Sequence, residues 1–244
     1  MQIGALWIHG SVNTVATLPL DYQPTGGLSA SELAFRALWQ RISHGAIEPG
    51  ALLTEERLAA SLSISRTPLR EAVRRLEDLG LVEREASRGL RVTPLSMREM
   101  LELSATRAAI EGTLVAAAAN RIRAGEAVPT RLEAIHDRLQ RVVRVHDAEL
   151  ALAIGREFHE EIRRLAANRS AGRFHDQLLL AFERYRHLAA HAPGRPELVF
   201  AEHEAILAAL RDGDAVAADA LMRRHIAQAR DVFACLLSIP LGAA

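Results

Sequence analysis

The sequence predicts a mainly α-helical protein, with an N-terminal winged helix-turn-helix followed by a C-terminal all-helical bundle. Between residues 28 and 94, three segments have apolar residues at helical spacing, and two short strand-like segments joined by a turn then follow. From Ser96 onwards the chain is rich in Ala and Leu, and only turn-forming residues interrupt a helical pattern without strand signals.

The composition is that of an ordinary globular chain. Of the 244 residues, 49% are hydrophobic and 25% are charged. The 30 basic residues, all of them Arg, balance 30 acidic ones, so the chain is not a globally basic nucleic-acid binder, but a local basic face is compatible with these numbers. A single cysteine, Cys235, excludes an intramolecular disulfide and favours a cytoplasmic location. No apolar run is long enough for a transmembrane helix.

The first elements follow an expected flexible N-terminal arm over residues 1–27, which ends in the turn-rich segment QPTGG. Periodic apolar residues predict a helix over 28–44. Thr54 is a good N-cap and Arg57 stands at the third helical position, so a short helix is expected over 54–62.

The next helix carries the most informative pattern. Ser65 is expected to cap it, Pro68 suits its first turn, and Gly80 ends it after about Leu79. Two short strands, LVERE and GLRVTPL, then complete a winged helix-turn-helix domain over residues 28–94.

Arginines on this helix predict a surface that binds DNA. Arg66, Arg70 and Arg74 are spaced i, i+4, i+8, so they project from nearly the same side. The N-terminal end of such a helix meets base edges in the major groove, where a guanidinium bonds guanine O6 and N7 together. Thr67 can add a phosphate or base contact. The alternative is a surface helix whose arginines pair with nearby acids, which are Glu71, Glu77 and Asp78.

The second half is expected to be an all-helical domain over residues 96–240. Breaks predict about six helices of 17 to 28 residues, and these breaks lie at 124–129, near Asp147, at 167–172, at 192–196 and at 211–214.

Three histidines of this half predict a candidate metal site. Asp212–Gly213 turns two helices into an antiparallel hairpin, with His203 about nine residues before the turn and His225 about twelve after it. These positions lie about 14 and 18 Å from the turn, so both imidazoles can meet at one level. With His159 from a third helix they form a reasonable nitrogen site for Zn²⁺ or Ni²⁺.

Residues 45–94 resemble the DNA-binding domain of the GntR family of bacterial transcription regulators, most specifically in SRTPLREAVRRLEDLGLV, residues 65–82. The resemblance implies that Arg66, Thr67 and Arg70 contact operator bases or phosphates and that Gly89 of the wing approaches the minor groove. We add Ser65 and Arg88 as neighbours on the same face. Two departures stand out: Ser63 replaces the usual turn Gly, and Glu56 replaces an Arg that contacts phosphate in some members.

Residues 96–240 look like the FCD effector domain of the FadR subfamily, through RAAIEGTLVAAAANR, FHEEIRRLAAN, EHEAI and RDGDAVAADALMRRHI. The resemblance implies metal ligation by His159, His203 and His225 together with an acid four residues before the first. Gly155 stands there and cannot coordinate, which leaves three readings: a site completed by water or effector, a substitute ligand, or a site without metal. Arg107 matches a position that binds small carboxylate effectors; alternatively, it pairs with Glu111 along its own helix.

These patterns predict a regulator and not an enzyme. We expect a cytoplasmic homodimer that binds a palindromic double-stranded DNA operator and responds to a small carboxylate effector near a divalent metal. One alternative is a metal-independent regulator of the same family, in which the histidines hydrogen-bond the effector. The other is a three-His metallohydrolase, which no HExxH motif supports.

Overall fold

The computed structural model describes residues 27–85, 89–190, 192 and 194–237. The arm predicted over residues 1–27 therefore lies outside the described residues, except for Gly27. Between Leu95 and Ser96 the chain divides into two compact units, which we call the N-terminal unit and the helical unit. In the described residues the chain is mainly α-helical, so the predicted fold class is confirmed.

Among its described residues, the N-terminal unit contains three helices and a small antiparallel sheet. Its helices are α1 (Ala30–Ser43), α2 (Glu55–Leu62) and α3 (Arg66–Asp78), and its strands are β1 (Leu52–Leu53), β2 (Val82–Glu85) and β3 (Gly89–Val92). The strand order is β1-β3-β2, with Leu53 opposite Leu90 and Glu85 opposite Gly89. The two strands β2 and β3 form the predicted hairpin, whereas β1, only two residues long, was not predicted.

The turn between α2 and α3 departs from expectation at one residue. The Thr54 hydroxyl caps α2 by accepting a hydrogen bond from the backbone N–H of Arg57, as predicted. Ser65 occupies the N-cap position of α3, but its side chain makes no capping hydrogen bond, so that expectation was wrong. Pro68 stands at the third helical position and has no N–H to donate, so it removes one of the two usual donors to a capping side chain.

Helix α3 separates an apolar face from a charged one. Leu69, Ala72, Val73 and Leu76 are buried and pack towards α1, while the arginines between them are exposed. Burial of this stripe fixes α3 in the unit, and its N-terminal end stays open to a partner.

The helical unit is a bundle built around one long central helix. It contains α4 (Met97–Arg123), α5 (Thr130–Arg144), α6 (Ala148–Ala166), α7 (Arg169–Ala190), α8 (Arg195–Arg211) and α9 (Ala215–Leu237). Helix α4 packs against α6, α7 and, most extensively, α9. All predicted breaks separate observed helices, although α5 has 15 residues and is shorter than expected.

The α8–α9 hairpin turns tightly against the end of α4. Gly213 has a φ of +66°, and a Cβ atom at this position would lie 2.7 Å from the Cβ of Arg123. Only glycine fits this conformation and this space without displacement of α4. None of the described helices combines the length and apolar character that crossing a membrane requires.

Candidate functional site

The N-terminal end of α3 presents the residues that the sequence singled out for DNA. Ser65, Arg66, Thr67 and Arg70 are all exposed there, in a helix whose opposite face is buried. This arrangement leaves guanidinium and hydroxyl groups free to approach base edges or phosphates.

Acidic residues of α2 hold two of these arginines. Arg66 Nη2 lies 3.0 Å from Glu56 Oε1, and Arg70 Nε lies 2.9 Å from Glu55 Oε2. Glu55 also accepts a hydrogen bond from Arg84, and these bonds, the one from Arg70 foremost, lower the pKa of its carboxyl. The acids that pair with the arginines are therefore on the neighbouring helix of the helix-turn-helix.

The two arginines further along α3 behave differently. Arg75 Nη1 lies 2.6 Å from Glu32 of α1, and its guanidinium sits 3.7 Å above the Phe35 ring. Arg74 is exposed and forms no ion pair with any residue that the structure describes. Arg75 therefore joins α3 to α1 through an ion pair and a cation–π contact.

The wing residue Gly89 has a structural reason to be glycine. Its φ is +94°, and a Cβ atom there would lie 2.6 Å from the carbonyl oxygen of Leu53, so no other residue fits beside β1. Arg88, the other wing residue assigned to DNA, lies outside the described residues.

The helical unit brings the three predicted histidines together in one cluster, which we call the histidine cluster. His159 comes from α6, His203 from α8 and His225 from α9, and all three are buried. One nitrogen of each ring lies within 4.8 Å of those of the other two. The Nε2 atoms of His159 and His225 are 3.2 Å apart.

Two buried carboxylates determine which nitrogens of this cluster are free. The Nδ1–H of His159 donates to Glu111 at 2.5 Å, and the Nδ1–H of His225 donates to Glu202 at 2.6 Å. In neutral rings the two facing Nε2 atoms then both carry lone pairs. Two lone pairs at this separation repel each other unless a cation lies between them.

The third histidine has no hydrogen-bond partner in the part of the chain that the structure describes. His203 is fully buried, and neither ring nitrogen finds a partner among the described residues. Its ring stacks on Phe158, with centroids 4.0 Å apart and an interplanar angle of 10°, so its orientation is fixed by packing. A buried imidazole without a partner is costly and indicates that a ligand completes the site.

All three imidazoles are uncharged at neutral pH, as metal ligation requires. Burial lowers the pKa of His159 to about 3, although the Glu111 carboxylate acts against this shift. Burial also lowers the pKa of His225, and that of His203 lies well below its usual value because of burial and the neighbouring histidines.

The histidine cluster fits a tetrahedral metal ion. Two nitrogens that are each about 2.05 Å from one tetrahedral ion lie about 3.3 Å apart, close to the Nε2 separation of His159 and His225. A Cβ atom added at Gly155 would lie 3.9 Å from His203 Cε1, so this glycine faces the cluster without offering a ligand. Among the described residues, the cluster holds these three histidines alone.

The histidine cluster lies on a cavity inside the helical unit. Three guanidiniums also line it, those of Arg107, Arg186 and Arg195. The cavity offers about 70 Å³ to the centres of water-sized molecules, room for several waters or a small organic ligand. Arg107 is thus at the predicted place, and its Nε also donates to Glu111 at 2.6 Å, the alternative pairing.

Sequence reasoning missed four of these groups: Glu111 and Glu202 as partners of the histidines, and Arg186 and Arg195 as lining residues. Glu111 is 48 residues from His159, and Glu202 is 23 residues from His225. No local spacing rule connects residues so far apart, and only the packing of the helices brings them together.

Comparison with known proteins finds one family match for the N-terminal unit and another for the helical unit. Residues 30–92 match the bacterial regulatory proteins of the gntR family, and residues 99–228 match the FCD domain. The second match alone spans more than half of the chain.

Individual relatives give the same result. The HTH-type transcriptional regulator BphR of Paraburkholderia xenovorans is 32% identical over 205 residues, which cover 81% of this chain and 82% of BphR. The HTH-type transcriptional repressor RspR of Escherichia coli is 27% identical and covers 79% of this chain and 83% of its own length. The solved structure of Escherichia coli McbR/YncC shares the fold, with a TM-score of 0.70 at 23% identity over 85% of this chain and 98% of that chain.

The family and these relatives are transcriptional regulators rather than enzymes, in agreement with the prediction from the sequence. A helix-turn-helix whose arginine-bearing helix is exposed, followed by a helical FCD domain, is the architecture of this group. The chain therefore belongs to the GntR family of bacterial regulatory proteins and is a DNA-binding transcriptional regulator.

Proposed function

We propose that the protein binds a palindromic operator as a homodimer, and that a small carboxylate beside a divalent metal in the helical unit controls this binding. The observation that carries the proposal is the histidine cluster, in which three buried imidazoles from three helices face one point. Because of this ligand response, we also propose that the chain belongs to the FadR subfamily. Because its partner is DNA, we propose that it acts in the cytoplasm.

The DNA-binding part rests on the exposed end of α3. Arg66, Thr67 and Arg70 are the side chains that read bases or hold phosphates, and Ser65 stands beside them. Gly89 and Arg88 of the wing are assigned to the same face from the family resemblance. One such helix reads one half-site, so a second copy is needed for a complete operator.

The metal-binding part rests on the three imidazole nitrogens. His159, His203 and His225 would hold the ion, and Glu111 and Glu202 orient two of them through their Nδ1–H groups. When bound, Zn²⁺ or Ni²⁺ supplies a positive centre that attracts a carboxylate oxygen. Gly155 leaves space on one side, so we infer that water or the effector completes the coordination.

The effector acts by differential affinity. A ligand that prefers one arrangement of the dimer shifts the population towards that arrangement, and the spacing of the two α3 helices then matches or misses the operator. The buried guanidiniums of the cavity favour an anionic ligand, because a carboxylate accepts two parallel hydrogen bonds from Arg.

Operator binding tests the DNA-binding part. Arg66→Ala and Arg70→Ala should each weaken specific binding in a footprint or anisotropy titration by about tenfold or more, because each removes a charge-assisted contact. The matched control is Arg98→Ala, an exposed arginine of the helical unit paired with Glu102. Normal operator binding by both α3 variants would refute the assignment of the recognition helix.

Metal analysis of the purified protein tests the second part. We expect about one Zn²⁺ or Ni²⁺ per chain, and a loss of that metal in His203→Ala. The alternative is a metal-independent regulator whose histidines hydrogen-bond the effector. The two unpartnered nitrogens of His203 support it, because they could form such hydrogen bonds. Metal-free protein that binds its effector with the same affinity as metal-loaded protein would favour that alternative.

A further inference from the structure

Three arginines line the cavity, but they differ in how their charge is balanced. Arg107 donates from Nε to Glu111 at 2.6 Å, and Arg195 donates from Nη1 to Glu202 at 3.2 Å. Each of these guanidiniums therefore has a hydrogen-bonded carboxylate inside the bundle, which it shares with a histidine of the cluster. A buried charge with such a partner is already neutralised and has less to gain from a ligand.

Arg186 forms an ion pair, but it has no hydrogen-bonded carboxylate among the described residues. Its nearest acid is Glu183, whose Oε2 lies 3.7 Å from Nη1, beyond hydrogen-bond distance. The other oxygen of Glu183 already accepts a hydrogen bond from Arg156 at 2.7 Å. Arg186 Nη1 is buried and finds no hydrogen-bond partner among the described residues.

This cation is also deeply buried. The Arg186 residue is 7% exposed, and it lines the cavity together with the histidine cluster. Burial, with Arg107 and Arg156 nearby, lowers the pKa of Arg186 to about 10, although the Glu183 carboxylate acts against this shift, so Arg186 stays charged at neutral pH. A buried guanidinium nitrogen without a hydrogen bond is unfavourable, and an anion that enters the cavity would supply that bond.

The rest of the lining is apolar. Apart from the arginines and histidines, no described residue of the lining carries a hydrogen-bonding side chain; its members include Leu139, Ala151, Leu152, Val199, Ala229 and Phe233. Hydroxyl groups of a ligand would find few partners there, and their loss of hydration would not be compensated. A short hydrocarbon chain suits this surface.

We propose that Arg186, rather than Arg107, binds the carboxylate of the effector, and that the effector is a small carboxylic acid with a short apolar chain. This inference rests on the proposed function of the cavity and narrows its ligand class. It disfavours polyhydroxylated sugar acids, since the lining offers their hydroxyl groups few partners besides the arginines and histidines.

Calorimetric titration of the full chain tests the proposal, with propionate, butyrate, isobutyrate and 2-hydroxybutyrate as probes. At least one of them should bind, while butyramide, its uncharged analogue, and gluconate bind at least about tenfold more weakly. Ethyl phosphate is included to separate a carboxylate from a phosphate ester. Arg186→Gln should weaken carboxylate binding by about tenfold to a hundredfold.

Arg98→Gln is the matched control. It removes an exposed guanidinium of the same unit, paired with Glu102, without touching the cavity lining or Glu183, so carboxylate affinity should stay within about twofold of that of the unsubstituted chain. A second readout is the melting temperature without ligand. The melting temperature of Arg186→Gln should equal or exceed that of the unsubstituted chain, because the variant loses a buried charge without a hydrogen bond while Glu183 keeps Arg156; a purely structural role for Arg186 predicts a lower value.

The possible outcomes separate this inference from the function on which it rests. Binding that survives Arg186→Gln but is lost in Arg107→Gln overturns the role of Arg186 and supports a carboxylate effector. Binding of gluconate or ethyl phosphate in place of the four probes overturns the ligand class. If no probe binds, while metal content and operator binding are as expected, the inference fails and the DNA-binding function stands.

Discussion

In the proposed function, an acid of the same chain competes with the phosphates or bases of DNA for the guanidinium groups of Arg66 and Arg70. Glu56 holds Arg66 at 3.0 Å, and Glu55 holds Arg70 at 2.9 Å, in the protein without DNA. A carboxylate beside each guanidinium would also repel a phosphate that approaches it. We therefore expect these two acids to lower operator affinity and expect single substitutions of them to change it.

Glu56→Gln should raise operator affinity by about threefold to tenfold, since it frees Arg66 and removes one negative charge from the DNA-facing surface. Fluorescence anisotropy at fixed salt measures this change. Glu102→Gln is the control, as Glu102 is an exposed acid paired with Arg98 in the helical unit. Unchanged affinity of the Glu56 variant would show that this ion pair does not compete with DNA.

Gly155 offers a second test at the scale of one residue. A Cβ atom there lies 3.9 Å from His203 Cε1, so Gly155→Asp would direct a carboxylate towards the histidine cluster. We expect metal affinity to rise by about tenfold or more, because an added anionic ligand strengthens a three-nitrogen site. Competition with a chelating dye measures it, and Gly155→Ala, which adds only the Cβ, should leave the affinity unchanged.

How much of the site could be predicted depends on the residue. The histidines follow from the hairpin geometry and the family resemblance, because both depend on spacing within the chain. The proposed role of Arg186 could not be predicted, since it depends on the missing hydrogen bond of its Nη1 atom, and only the packed structure shows that Glu183 is engaged by Arg156.

Among the elements, the helix breaks were predictable because turn-forming residues mark them. Strand β1 escaped prediction because two residues are too few for a periodic pattern, and it forms only by pairing with β3. The capping hydrogen bond predicted for Ser65 does not form; Pro68 removes the N–H of the third helical position, one of the two that usually donate to such a cap.

The turn between α2 and α3 is strained at Ser63. Its φ of +53° is a left-handed conformation that costs a residue with a side chain about 1 kcal/mol relative to glycine. Ser63→Gly should therefore raise the free energy of unfolding by up to about 1 kcal/mol, measured by urea denaturation. Ser65→Gly is the control, because Ser65 has an extended backbone and gains nothing from glycine. A lower stability of the Ser63 variant would contradict this account.

For the whole molecule, the proposed metal should contribute to folding as well as to ligand binding. Its ligands lie on α6, α8 and α9, so an ion that binds only the folded helical unit stabilises all three helices together. At a free concentration about 100 times its Kd, such an ion adds about 2.7 kcal/mol to the free energy of unfolding.

Chelation tests this prediction. Treatment with EDTA should lower the melting temperature of the unsubstituted chain by several degrees, about the change that 2.7 kcal/mol produces in a chain of this size. His203→Ala should melt at the same temperature with and without EDTA, since it has lost the site. An unchanged melting temperature of the unsubstituted chain after chelation would mean that no ion contributes to folding.

Gly213 shows how far the requirements of the histidine cluster extend. Its missing side chain lets the α8–α9 turn close against the end of α4. That contact fixes the position of α8 and α9 relative to each other along their axes. His203 lies about 14 Å from the turn along α8 and His225 about 18 Å along α9, so this position decides whether the two side chains stand opposite each other. The precision of a three-nitrogen site thus depends on a hydrogen atom in place of a methyl group at the far end of two helices.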